Sequence, residues 1–147
     1  MNNIGGIIRC EIISANDISG FAVVDRTAEI KIKESASWSE LPISVKQTSA
    51  SATPTAGSAG TLYEHKFSSL LPADKVTVQK VGQYRSLCIG GCIVRYTDAN
   101  GNRRILGTKD YPLTGTLAEV PGSTAASLAG YELNMKASEL TPQLLER

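Results

Sequence analysis

The stretch SLCIGGCIVRYTDANGNRRIL, residues 86–106, carries the clearest pattern in the chain. Its middle alternates: Cys92, Val94 and Tyr96 fall on one face of an extended strand, and Ile93, Arg95 and Thr97 on the other, because strand side chains have a period of two. Asp98-Ala99-Asn100-Gly101 then supplies turn chemistry, with Asp able to cap the turn and Asn-Gly able to take the positive φ of a tight reversal. A second extended run, Arg103 to Leu106, follows, so the stretch reads as a β-hairpin. Gly90-Gly91 in the first arm fits either a tight turn or a bulge, and the apolar character on both sides favours a bulge in one long bent strand.

Working outward, the same period recurs. Ile8, Cys10 and Ile12 alternate with Arg9 and Glu11, and Ala28, Ile30 and Ile32 alternate with Glu29, Lys31 and Lys33, whose charges suit a sheet edge or a solvated face. Ser14 to Gly20 reads as a loop, with a short extended piece at Phe21 to Val24, and a short strand is expected at Ile43 to Gln47 after Pro42. Tyr63, His65 and Phe67 alternate with Leu62, Glu64 and Lys66; Val76 and Val78 alternate with Thr77 and Gln79; Tyr131, Leu133 and Met135 alternate with Glu132, Asn134 and Lys136. Leu113 to Val120 adds another strand, and Ser123 caps a helix over Thr124 to Ala129, the one helix expected.

Two segments break the pattern. Thr48 to Gly60, TSASATPTAGSAG, has no charge and no large apolar side chain, which predicts a flexible loop at 48–60. Residues 138–147, with Pro142, read as a C-terminal tail. The expectation is therefore a single all-β domain over 1–147, an antiparallel β-sandwich or small β-barrel of about eight strands with one short helix.

Composition narrows the partners. Fifteen Lys and Arg stand against fourteen Asp and Glu, too balanced for the field of a dedicated nucleic-acid binder, so no specific nucleic acid is expected. No apolar run approaches the ~20 residues that span a bilayer, and the N-terminus MNNIGG lacks the basic and apolar regions of a secretory signal. A cytoplasmic protein without membrane partners is the expectation, and its three cysteines, Cys10, Cys88 and Cys92, are expected as buried thiols.

No constellation argues for catalysis. Cys88, Cys92 and His65 lack the second ligand pair of a structural zinc site, and the Asp98 turn lacks the closing Glu of a calcium loop, with Thr108 and Lys109 at that offset. His65 has no nucleophile elbow near it, and neither Gly5-Gly6 nor Gly90-Gly91 has the spacing of a phosphate-binding loop. The reading is of a non-enzymatic protein with no cofactor and no metal. The charged residues Arg95, Arg103, Arg104, Lys109, Glu29, Lys31 and Lys33 form the candidate interaction surface.

Three segments, IGGIIRCEIISANDI from Ile4, CIVRYTDANGNRRILGTKDYPLTGTL from Cys92 and GYELNMKAS from Gly130, together resemble small structural proteins of tailed bacteriophages and prophages, of the kind encoded among tail genes. The resemblance covers about half the chain and is one of layout. It implies a tail or head-to-tail connector subunit, cytoplasmic and then in the virion, that partners with itself in rings and with other virion proteins through strand edges and loops. The competing class is a monomeric module binding a small ligand or carbohydrate at the 48–60 segment or at Tyr63 and Phe67. Solution mass separates the two.

Overall fold

The computed structural model describes residues 7–24, 27–43, 48–57, 60–72, 75–120, 130–139 and 144–146. The fold is all-β with one α-helix, and its described strands form two open sheets, a sandwich-like arrangement rather than a closed barrel. Sheet A holds β2 (Ile18–Val24), β3 (Thr27–Ile32), β11 (Leu144–Glu146), β8 (Arg103–Leu106), β7 (Cys92–Asp98), β1 (Ile7–Ser14) and β4 (Ser39–Leu41), in that spatial order. Sheet B holds β5 (Ser49–Gly57), β6 (Gly60–Pro72), β10 (Gly130–Glu139) and β9 (Thr114–Val120). All pairings are antiparallel except β11 with β3.

The β7–β8 hairpin is as the sequence predicts. Asp98 accepts hydrogen bonds on Oδ1 from the amides of Asn100 at 2.9 Å and Asn102 at 3.0 Å, and Gly101 takes a φ of 87°. Burial works to raise the Asp98 pKa, but the two amides and Arg104, whose Nε lies 3.6 Å from Oδ2, outweigh it and hold the carboxyl below its ordinary value. A folded-state pKa below the unfolded one stabilises the fold above the unfolded value and is lost as pH falls through the folded one. Asp98→Ala is accordingly expected to cost about 1–2 kcal/mol at neutral pH. The gap to the native protein should close as the solution is acidified below about pH 4, which denaturant melts at a series of pH values would measure.

Sheet A is buried on both faces at its centre, which explains the run of large apolar residues in β7. Cys10, Val94 and Tyr96 share the main core with Leu106, Phe67, Leu71, Leu117, Leu133 and Met135, between the two sheets. Ile93 belongs to a second cluster with Ile13, Ile18, Ala28 and Ile105, against which Ala36 and Trp38 pack. Arg95, on the same strand face as Ile93, reaches Glu11 at 2.8 Å and stacks its guanidinium 4.3 Å from the Trp38 ring centre.

Five expectations are corrected. Val78–Gly90 is a helix, α1, where the sequence suggested a strand and then a bulge. Thr77 caps it by accepting from the Lys80 amide, and Val81, Tyr84 and Cys88 recur at helical spacing on its buried side. Val76 is buried and Val78 is 87% exposed, so their apparent alternation belonged to a helix start. Gly91, at φ 93°, ends the helix, neither turn nor bulge, and a Cβ there would lie 2.8 Å from Pro112.

In β1 the register shifts between Ile7 and Arg9, so Ile7 takes the core position and Ile8 is turned outward at 53% exposure. Ser49–Gly57, inside the expected 48–60 loop, is strand β5, because its inner edge forms a ladder with β6 and Ala50 packs on the core. The expected tail from 138 instead continues β10 to Glu139 and then supplies β11, which inserts between β3 and β8. That insertion makes β3 an interior strand, so of the two expected readings Glu29, Lys31 and Lys33 mark its solvated face, and its neighbour β2, which includes part of the expected Ser14–Gly20 loop, forms the edge. The expected strand at 43–47 falls on residues that, after Ile43, lie outside the described set, as does the expected helix at 124–129; the strand found nearby is β4.

Candidate functional site

The charged residues singled out from sequence do not gather on one surface. Arg95 is largely buried and committed to Glu11 and Trp38, and Arg104 pairs with Asp98. Glu29, Lys31 and Lys33 are exposed on the side of the β3 segment opposite Ala28, Arg103 is exposed on β8, and Lys109 lies in the turn before Pro112.

The reactive residue types are packed away. Cys10, Cys88 and Cys92 are free and buried, and burial pushes the thiol of Cys10 up to about 12, with help from the charge of Glu11, and that of Cys88 up to about 11. Burial raises Cys92 as well, its Sγ lying 3.3 Å from the Met135 sulfur. Thiols so held stay protonated and unreactive. His65 is fully buried at the sheet interface, where its Nδ1 accepts a hydrogen bond from the Gly107 amide at 3.4 Å. Phe67 is buried too, so the face of Tyr63 and Phe67 offers no open aromatic platform. Among the described residues no group of His, Cys, Asp or Glu is arranged to hold a metal ion, and no helix is long and apolar enough to cross a membrane.

A concave feature among the described residues lies on the other face of sheet B. Strand pairing aligns two rows of outward side chains across all four strands: Ser49, Ser68, Asn134 and Thr116 in one, and Ser51, Lys66, Lys136 and Thr114 in the next. They line a groove of about 510 Å³, within the range of ligand pockets. Ser68 donates to Asn134 at 2.9 Å, Asn134 donates to Glu132 at 3.2 Å, and Lys66 lies 3.6 Å from Glu64. Glu64, Thr114 and Lys136 also line an adjoining cleft of about 450 Å³ that runs to Asp110, Tyr111 and Pro112.

The outer faces of β6 and β10 are legible in the sequence through their alternation, but the groove is not. What creates it is the register that sets Lys66 against Lys136 and carries β5 and β9 alongside, and register between distant strands leaves no local signal.

A second feature is an exposed strand edge. β5 runs for nine residues at the end of sheet B without a charged side chain, interrupted only by Pro54, and no described strand pairs its outer edge. Pairing of β10 with β6 stops at Tyr63, whereas β5 and β6 pair on to Gly57 and Gly60, so the tip of this hairpin has no third described strand beside it. Comparison with known proteins finds no family model, no curated protein and no solved structure that matches the chain.

Proposed function

We propose that the chain is a non-enzymatic structural subunit that works by docking to copies of itself and to other proteins, the tail or connector component that its resemblance to phage virion proteins implies. The β5 edge and the overhanging β5–β6 hairpin carry this reading. Soluble proteins protect long strand edges with charge, shortness or cover, because unpaired amides and carbonyls template the addition of another strand. β5 is long and uncharged, with Pro54 as its one edge-protecting residue, while the opposite edge of sheet B, β9, is the shorter and carries Glu119. Leu62, 48% exposed near the hairpin tip, adds apolar surface to the same end.

The test is mass by light scattering across a wide concentration range, alone and with the products of neighbouring genes. The native protein should form a defined oligomer or complex, and Thr53→Lys with Ala56→Lys, which places charge along the β5 edge and tip, should reduce that association at least about tenfold. Association unaffected by the two lysines, or a monomer that binds none of those products, would overturn the reading.

A further inference from the structure

We infer that the groove on the outer face of sheet B binds an oligosaccharide containing acid sugars, with a sugar carboxylate seated at Lys136. The first argument is charge. Lys66 and Lys136 stand directly opposite each other on adjacent strands, a like-charge pairing that weakens a sheet. Glu64 lies 3.6 Å from Lys66, whereas Lys136 has no carboxylate partner among the described residues. Lys136 also stands where the groove and the adjoining cleft meet, so a ligand filling either one passes it. Lys136 thus presents an ammonium without an ion-pair partner where the two concavities meet, and a single sugar carboxylate would pair with it.

The second argument is the chemistry on either side of that ammonium. Ser and Thr hydroxyls and the Asn134 amide both donate and accept, and Glu64 and Asp110 accept, which suits the many hydroxyls of a sugar chain. At the far end of the cleft Tyr111 is 50% exposed, offering a ring to the apolar face of a pyranose and a hydroxyl to its edge. A peptide is less well served. The amides and carbonyls of β6 and β10 are taken up by ladders on both sides, leaving no main-chain partners on this face for an extended peptide.

The test is calorimetric titration of the full chain with tetragalacturonate, tetraguluronate and a sialic acid tetramer, beside neutral cellotetraose and a tetraglutamate peptide. Saturable binding of at least one acidic tetrasaccharide is expected, at least about tenfold tighter than cellotetraose or the peptide and weakened by added salt. Lys136→Gln and Tyr111→Ala should each lower that affinity about tenfold, and Lys136→Gln should leave the melting temperature unchanged or raise it by relieving the lysine pair. Ala56→Lys alone, opposite Thr61 at the hairpin tip and outside both linings, should bind as the native protein does, so loss of assembly and loss of sugar binding are read separately. Absence of saturable binding by all three acidic sugars, equal binding of cellotetraose, tighter binding of tetraglutamate, or indifference to Lys136→Gln would each overturn the inference.

Discussion

Replacing Val94 with Asp should abolish folding. Val94 has no exposed surface and sits at the centre of β7, packed in the core between the sheets with Cys10, Tyr96 and Leu106. Arg95, the basic residue next to it in β7, points to the opposite face and is committed to Glu11. A carboxylate there must be buried without a partner or taken up protonated, and either route costs several kcal/mol against a total stability on the order of 5–15 kcal/mol. An expected loss of about 4 kcal/mol or more would appear in circular dichroism as a collapsed or absent thermal transition. The comparison is Val78→Asp, the same substitution at the first residue of α1, where the side chain is 87% exposed and a change within about 0.5 kcal/mol is expected. A Val94→Asp protein that melts with the native one would remove β7 from the core.

Gly115→Ala should be nearly as damaging, although it adds a single methyl group. A Cβ at this position would stand 1.8 Å from the Asn134 carbonyl oxygen and 2.7 Å from the Met135 Cα. These are backbone atoms of β10 and cannot swing aside, so β9 must separate from β10 along the ladder that aligns the two rows of the groove. Overpacking of this kind costs about 3 kcal/mol when the neighbour cannot yield. Gly82→Ala is the opposite case, an exposed glycine inside α1 with nothing within 4 Å of the added carbon. It should stabilise by about 0.5–1 kcal/mol through helix propensity. Equal stability of the two variants in urea titrations would contradict the close approach of β9 and β10.

The elements legible in the sequence are those whose local pattern and tertiary role agree. The β7–β8 hairpin combines a period of two with an Asp-x-Asn-Gly turn, and β6 and β10 each carry a clean inward face, with His65 and Phe67 on one and Leu133 and Met135 on the other. Helix α1 was hidden because Val76 and Val78 mimic a strand and because Gly90-Gly91 looks like an interruption inside one, when it is a helix terminus. Strand β5 was hidden for a different reason: Ser, Ala and Thr have no pattern of their own, and it is the ladder to β6 that makes them a strand. Strand β11 joins residues far apart in the chain, as does the groove, and neither contact order nor register can be read from a window of sequence.

The claim that the β5 edge is where this protein meets its partners can be read residue by residue from amide hydrogen exchange, comparing the free chain with the same chain in its assembled form. Assembly should slow exchange at amides of Ser49–Gly57 and at the hairpin tip, with α1 and β7 unchanged. Protection that appears on α1 or β2 while β5 continues to exchange freely would contradict it.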